Sequence, residues 1–166
     1  MACALEGTRP ILLEVQALVA QTDLAMPRRV ATGVDPKRLA MIVAVLARHA
    51  GIALGQADVF VNVAGGVRID EPGADLAVAL AIASAARRLP VRAGTAVFGE
   101  IGLTGRLRPA AQGERRLEEC AKLGLSTVVA PAGTKAANGR IEVEAAETLR
   151  QAMRAGLDGD RSEGDD

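Results

Sequence analysis

The stretch Val59-Phe-Val-Asn-Val-Ala-Gly-Gly-Val-Arg-Ile-Asp-Glu-Pro-Gly-Ala-Asp-Leu-Ala-Val-Ala-Leu80 changes its period partway along. Val59 to Val63 is β-branched and alternates, the pattern of a strand. Gly65-Gly66 breaks it. Asp70, Glu71 and Asp75 then crowd the start of an Ala- and Leu-rich run from Ala74 to about Arg87, which reads as a helix buried on most sides. Carboxylates are favoured there by the free N–H groups of a helix start. Strand, loop and buried helix in this order predict a layered α/β (α+β) domain.

Working outward, Ile11 to Val19 reads as one half-buried strand, with Leu13, Val15, Ala17 and Val19 on one face, and the residues through Pro27 as a loop. Asp35-Pro36 supplies an N-cap and a proline at the first helical position. Leu39, Ile42, Val43 and Leu46 then form an i, i+3, i+4, i+7 stripe that Gly51 closes. Downstream, Val91 to Glu100 and Gly105 to Pro109 read as short strands around a turn, and Leu117, Cys120 and Ala121 mark a helix ending at Gly124. Thr127 to Ala130 reads as a buried strand stopped by Pro131, and Glu142 to Ala155 as a final amphipathic helix. No repeat or Pro-rich linker divides the chain, so residues 1–156 are expected to form one domain. From Leu157 to Asp166 five acids stand against Arg161 alone, the composition of a disordered acidic tail.

Apolar residues make up 49% of the chain, yet Phe60 and Phe98 are its only aromatics, so the core must be built from Val, Leu, Ile and Ala. Recognition of bases by aromatic stacking is thereby nearly excluded. The formal net charge is zero, and setting the acidic tail aside leaves a modest positive excess. That excess permits phosphate contacts but falls short of a strongly basic nucleic-acid footprint. Cys3 and Cys120 belong to no C-x-x-C pair, which argues against a zinc site or disulfide framework. With no leader-like N-terminus and no run of membrane-spanning length, a soluble cytoplasmic protein is expected.

Val59 to Leu80, followed by Phe98-Gly-Glu-Ile-Gly-Leu-Thr-Gly-Arg-Leu-Arg-Pro109, resembles the Lon peptidase domain in the form carried by the bacterial RadA/Sms recombination ATPases at their C-terminal end. Glu14-Val-Gln-Ala-Leu18, Pro27-Arg-Arg-Val-Ala-Thr-Gly33 and Arg115-Arg-Leu-Glu-Glu119 extend the resemblance from roughly Leu5 to Ala155. It implies a Lon peptidase-like, ribosomal protein S5 domain 2-like fold. Lon peptidases place a Ser nucleophile at a helix start, a Lys general base on a second helix, and a Thr that orients the pair. A helix N-terminus stabilises developing negative charge, and a desolvated Lys can accept the Ser proton. The family's Gly-Pro-Ser-Ala-Gly matches Glu71-Pro-Gly-Ala-Asp75, which puts Gly73 at the nucleophile position. The Lys position falls on Glu114 and the Thr position on Phe98. These departures imply a retained fold without hydrolysis, hence no enzyme and no cofactor in this domain. No G-x-x-x-x-G-K-[ST] loop occurs, so the family's DNA-dependent ATPase core is expected to lie elsewhere in a longer parent protein.

Ser84 lies about three turns into the buried helix, away from its activating end, and is not expected to be a nucleophile. His49 falls in the last turn of the Asp35 helix, where a cation complements the dipole. Asp70, Glu71, Asp75 and Glu100 could converge on a hard cation, but the helix-start reading of the first three is stronger, and no metal site is expected. Arg28, Arg29, Lys37, Arg38, Arg106, Arg108, Arg115 and Arg116 occur in pairs suited to bidentate phosphate contacts; a solvated, ion-paired surface is the plain alternative. The first four are expected to cluster at one end of the Asp35 helix. The RadA/Sms resemblance implies a homohexameric ring around DNA. The eight cations are therefore candidate contacts to the phosphates of single-stranded or branched DNA. The expected function is a non-catalytic hexamerisation and DNA-binding platform in recombination and branch migration. A protein-interaction scaffold without DNA contact and a divergent peptidase with a rebuilt site are the alternatives.

Overall fold

Side chains on a strand alternate between its two faces, and here that alternation assigns neighbouring residues to different layers of the core. The computed structural model describes residues 1–136 and 138–159. In chain order the elements are β1 (Ala2–Glu6), β2 (Arg9–Leu13), β3 (Val15–Gln21), β4 (Arg29–Thr32), α1 (Pro36–His49), β5 (Ala57–Val63), α2 (Asp75–Arg87), β6 (Thr95–Val97), β7 (Glu100–Ile101), β8 (Leu107–Arg108), α3 (Gly113–Lys122), β9 (Thr127–Pro131), β10 (Glu142–Ala146) and α4 (Leu149–Gly156). A five-stranded sheet has the order β10-β9-β6-β1-β2, parallel except where β2 meets β1. A three-stranded sheet has the order β3-β5-β4, and β7 and β8 form a small hairpin.

In the large sheet, Ala2, Val97, Val129 and Ala146 pack into the cluster built by α1, α2 and α4. Their strand neighbours Cys3, Ala96, Phe98, Val128 and Ala130 pack on the other side with Leu117 and Cys120 of α3. The sheet is thus covered on both faces, which is why its strands read as apolar runs. Asp35 caps α1 by accepting the Arg38 amide at 3.0 Å, and Leu39, Ile42 and Leu46 are fully buried, each contributing roughly 1.5–3 kcal/mol. Gly33 ends β4 at φ +82°, and a Cβ there would come within 2.6 Å of the Val67 carbonyl oxygen. Only glycine tolerates both constraints.

Four expectations change. Ile11 to Val19 is two strands: the chain turns at Glu14, leaving β2 paired with β1 and β3 paired with β5 in a different sheet. Glu142 to Ala155 is also two elements. Residues 142–146 pair in parallel with β9, and the helix starts only after Thr148, whose hydroxyl accepts the Gln151 amide. Strand β1, which sequence periodicity did not mark, lies inside the large sheet between β6 and β2. Finally, Leu157 is fully buried and Asp158 donates its amide to the Pro90 carbonyl, so the packed domain runs past 156. The remaining residues of the expected tail, 160–166, lie outside the described residues. No helix among the described residues is long and apolar enough to cross a membrane.

Candidate functional site

Of the three positions singled out by resemblance, Gly73 lies just before α2, Phe98 precedes the Gly99 that bonds to it, and Glu114 stands on the first turn of α3. Gly73 sits in the 3-10 turn Pro72–Ala74 that leads into α2, and Glu71 caps this turn by accepting the Gly73 amide at 2.7 Å. The Gly73 carbonyl accepts the Gly99 amide at 2.7 Å, and the Gly99 carbonyl accepts the Leu76 amide at 3.0 Å, so the start of α2 is stitched to the strand end beyond β6.

Helix α3 reaches Gly73 through Arg116. This side chain is 0% exposed. Its Nη1 and Nη2 meet the two Glu71 carboxylate oxygens at 2.8 and 2.9 Å, a bidentate pair. Nη1 also donates to the Cys3 carbonyl at 2.6 Å and Nε to the Ala111 carbonyl at 2.8 Å. The guanidinium carbon lies 5.4 Å from the centroid of the Phe98 ring, a cation–π distance. Glu71 is held in turn by the Leu5 amide at 3.2 Å. Four segments therefore converge on one buried ion pair: β1, the turn before α3, α3 itself and the start of α2.

The guanidinium fills the volume that a side chain at 73 would need. A Cβ built on Gly73 would lie 2.5 Å from Glu71 Oε2 and 2.6 Å from Arg116 Nη2. Glu114, at the Lys position, is exposed on the first turn of α3, and Phe98 is fully buried. Beside this centre Asp75, 3% exposed at its side chain, is paired through both oxygens with Arg38, whose Nε approaches at 2.6 Å and whose Nη2 also contacts it. Burial pushes the Asp75 carboxyl above its ordinary range, and Arg38 pulls it back. A cleft of about 320 Å³ opens between this pair and the exposed pair Arg68–Asp70.

Arg116, expected at the DNA surface, is in the core and unavailable to phosphate. Its burial had a signal in the sequence: residues 116, 117 and 120 share one helical face, and Leu117 and Cys120 mark that face as buried. The expected cluster of four cations is also split. Arg28 pairs with the nearly buried Asp58 at 2.7 Å, and Arg29 donates to the carbonyls of Leu54, in the loop after α1, and of Ala57, at the start of β5. Lys37 and Arg38 stand on the first turn of α1 instead. Arg106 pairs with Glu147 at 3.4 Å, while Lys37, Arg108 and Arg115 make no ion pair among the described residues. Ser84 donates to the Leu89 carbonyl at 2.6 Å, and His49 contacts the Leu103 carbonyl at 2.9 Å, so both serve local structure. Among the described residues no three His, Cys, Asp or Glu side chains are grouped to hold a metal ion.

Residues 33–134 match the protein family described as subunit ChlI of Mg-chelatase. The chain is 49% identical over 130 residues to the DNA repair protein RadA of Haemophilus influenzae, covering 78% of this chain and 28% of that protein. It is 50% identical over 127 residues to RadA of Escherichia coli, covering 76% and 28%, and 42% identical over 160 residues to RadA of Bacillus subtilis, covering 94% and 35%. The chain belongs to the RadA family, in its Lon-like, ChlI-type domain. It is a member of a DNA repair protein family with a layered α/β, Lon-like fold, and it spans about a third of the length of these RadA relatives. In this RadA-family domain the Gly73 position holds no hydroxyl, and a buried arginine takes the place of the missing side chain.

Proposed function

We propose that this chain is a non-catalytic Lon-like platform within a RadA-type DNA repair ATPase, serving assembly of the protein and contacts to DNA phosphates in recombination and branch migration. The observation that carries the non-catalytic reading is the Arg116–Glu71 pair lodged against Gly73. A peptidase site needs a nucleophile, a base within hydrogen-bond reach and open space for an acyl group. Here the nucleophile position is a glycine, the base position an exposed glutamate, and the space beside the glycine is filled by a packed guanidinium.

Assembly is supported by the outer face of the small sheet. Its register sets Leu18, Phe60 and Val30 side by side across three strands, with Leu18 60% and Val30 45% exposed. Apolar rows of this kind on a face that would otherwise be polar mark association surfaces. A scaffold without DNA contact is favoured by a different observation: of the eight candidate cations Arg116 is in the core, Arg28, Arg38 and Arg106 are ion-paired and Arg29 donates to two backbone carbonyls, which leaves Lys37, Arg108 and the exposed Arg115.

Duplex and branched DNA titrated across a salt series test the reading, alongside molecular mass in solution and a casein-hydrolysis assay. The expected result is a multimer that binds DNA with a log–log salt slope of about −0.9 per neutralised phosphate on duplex and hydrolyses no casein. Absence of salt-dependent binding leaves the scaffold reading, and hydrolysis of casein overturns the platform altogether.

A further inference from the structure

We propose that Cys3 and Cys120 form a reversible disulfide site that bolts β1 to α3. They are the only two cysteines in the chain and stand far apart in sequence, yet both lie fully buried in the apolar cluster under α3. Alternation along β1 turns the side chain of Cys3, and not those of Ala2 and Ala4, toward that cluster. Cys3 Sγ lies 3.6 Å from the Arg116 carbonyl oxygen. In the i to i−4 ladder of α3 this carbonyl accepts the amide of Cys120. The two cysteines therefore meet at one turn of α3, inside one apolar cluster. A buried cysteine by itself is a small apolar filler. A second thiol beside it adds a reaction that neither has alone.

The oxidant is a small-molecule disulfide such as oxidised glutathione. One cysteine thiolate attacks a glutathione sulfur, breaking the glutathione S–S bond and releasing one glutathione thiolate. The other cysteine thiolate then attacks the protein-bound sulfur of the mixed disulfide and displaces the second glutathione thiolate. Two protein thiols become one disulfide, and their two protons and two electrons leave on two molecules of reduced glutathione; a dithiol reductant reverses the exchange. With both thiols buried, the first attack waits on a local opening of α3. Once formed, the bond holds closed the element that carries Arg116, whose Nη1 is hydrogen-bonded to the carbonyl of Cys3 itself.

The test incubates the folded protein with oxidised glutathione, alkylates remaining thiols in denaturant, and reads intact mass, a non-reduced peptide digest and hydrogen exchange. Both alkylatable thiols should disappear, with the mass falling by two hydrogens and the Cys3 and Cys120 peptides linked within one chain. Dithiothreitol should restore both thiols, and α3 amides should exchange more slowly in the oxidised form. Cys3→Ala and Cys120→Ala should each retain a single glutathione adduct instead of a crosslink. The proposal is overturned if both thiols remain alkylatable after α3 amides have exchanged. Adducts on both cysteines without a link, or links only between chains, overturn it equally.

Discussion

Arg116 Nη2 lies 2.6 Å from where the Cβ of residue 73 would stand, so a residue on α3 and one at the start of α2 compete for one volume. Gly73→Ser should therefore not create a nucleophile. It should lower stability by about 1–3 kcal/mol through overpacking, read from denaturant unfolding, and leave casein intact. A variant of unchanged stability would show that Arg116 yields the space freely.

The Arg116–Glu71 pair makes a sharper test, because one partner is fully buried. Arg116→Met or Glu71→Gln alone should cost about 3–5 kcal/mol, since each leaves a charge or its hydrogen-bond partners uncompensated. The double variant should be less destabilised than the sum of the two, giving a coupling energy of at least about 0.5 kcal/mol in a double-mutant cycle. Additive losses would mean that the two side chains stabilise the fold independently.

Asp58 gives a pH signature. Hydrogen bonds from the Arg28 guanidinium, and then from its amide, hold the Asp58 carboxyl below its ordinary value of 3.8. A depressed carboxyl contributes stability that is present above 3.8 and lost as pH falls through the folded-state value. Asp58→Asn should be less stable than the parent at neutral pH, and the gap should close only below 3.8. A gap that closes well above that pH would refute the pairing.

For DNA, the cations without a carboxylate partner are the informative ones. Replacing Lys37, Arg108 and Arg115 with Ala should weaken binding alike across sequences and reduce the salt slope on duplex by about 0.9 for each phosphate that is no longer neutralised. Arg29→Ala should behave differently. It removes the donor to the Leu54 and Ala57 carbonyls, so its effect should appear in unfolding, at about 1–3 kcal/mol. An unchanged slope in the triple variant would remove this surface from consideration.

Helices α1 and α2 were legible because their signals are local: a cap, a proline and a periodic stripe in α1, and a carboxylate-rich start to an apolar run in α2. β10 was not, since Glu142 to Ala146 is rich in residues that favour helices and becomes a strand only by pairing with β9. The break at Glu14 was hidden for the same reason, as β2 and β3 continue one alternation into different sheets. At the candidate site, the absence of a hydroxyl at 73 could be read directly. What replaced it could not, because the pairing of Glu71 with Arg116 joins residues far apart in the chain. Arg116 drew attention as half of an arginine pair, although its helical face already assigned it to the core.

The filled volume at Gly73 also orders the routes open to a descendant of this chain. A hydroxyl introduced at 73 meets Arg116 and Glu71 first, so that step alone is penalised and selection would discard it. Arg116 would have to shrink first, and that change leaves Glu71 without its partner. Each single change is expected to pass through a less stable protein than the present one. A side chain at 73 and a full-length arginine at 116 are thus alternatives, and exchanging one for the other takes two coordinated changes.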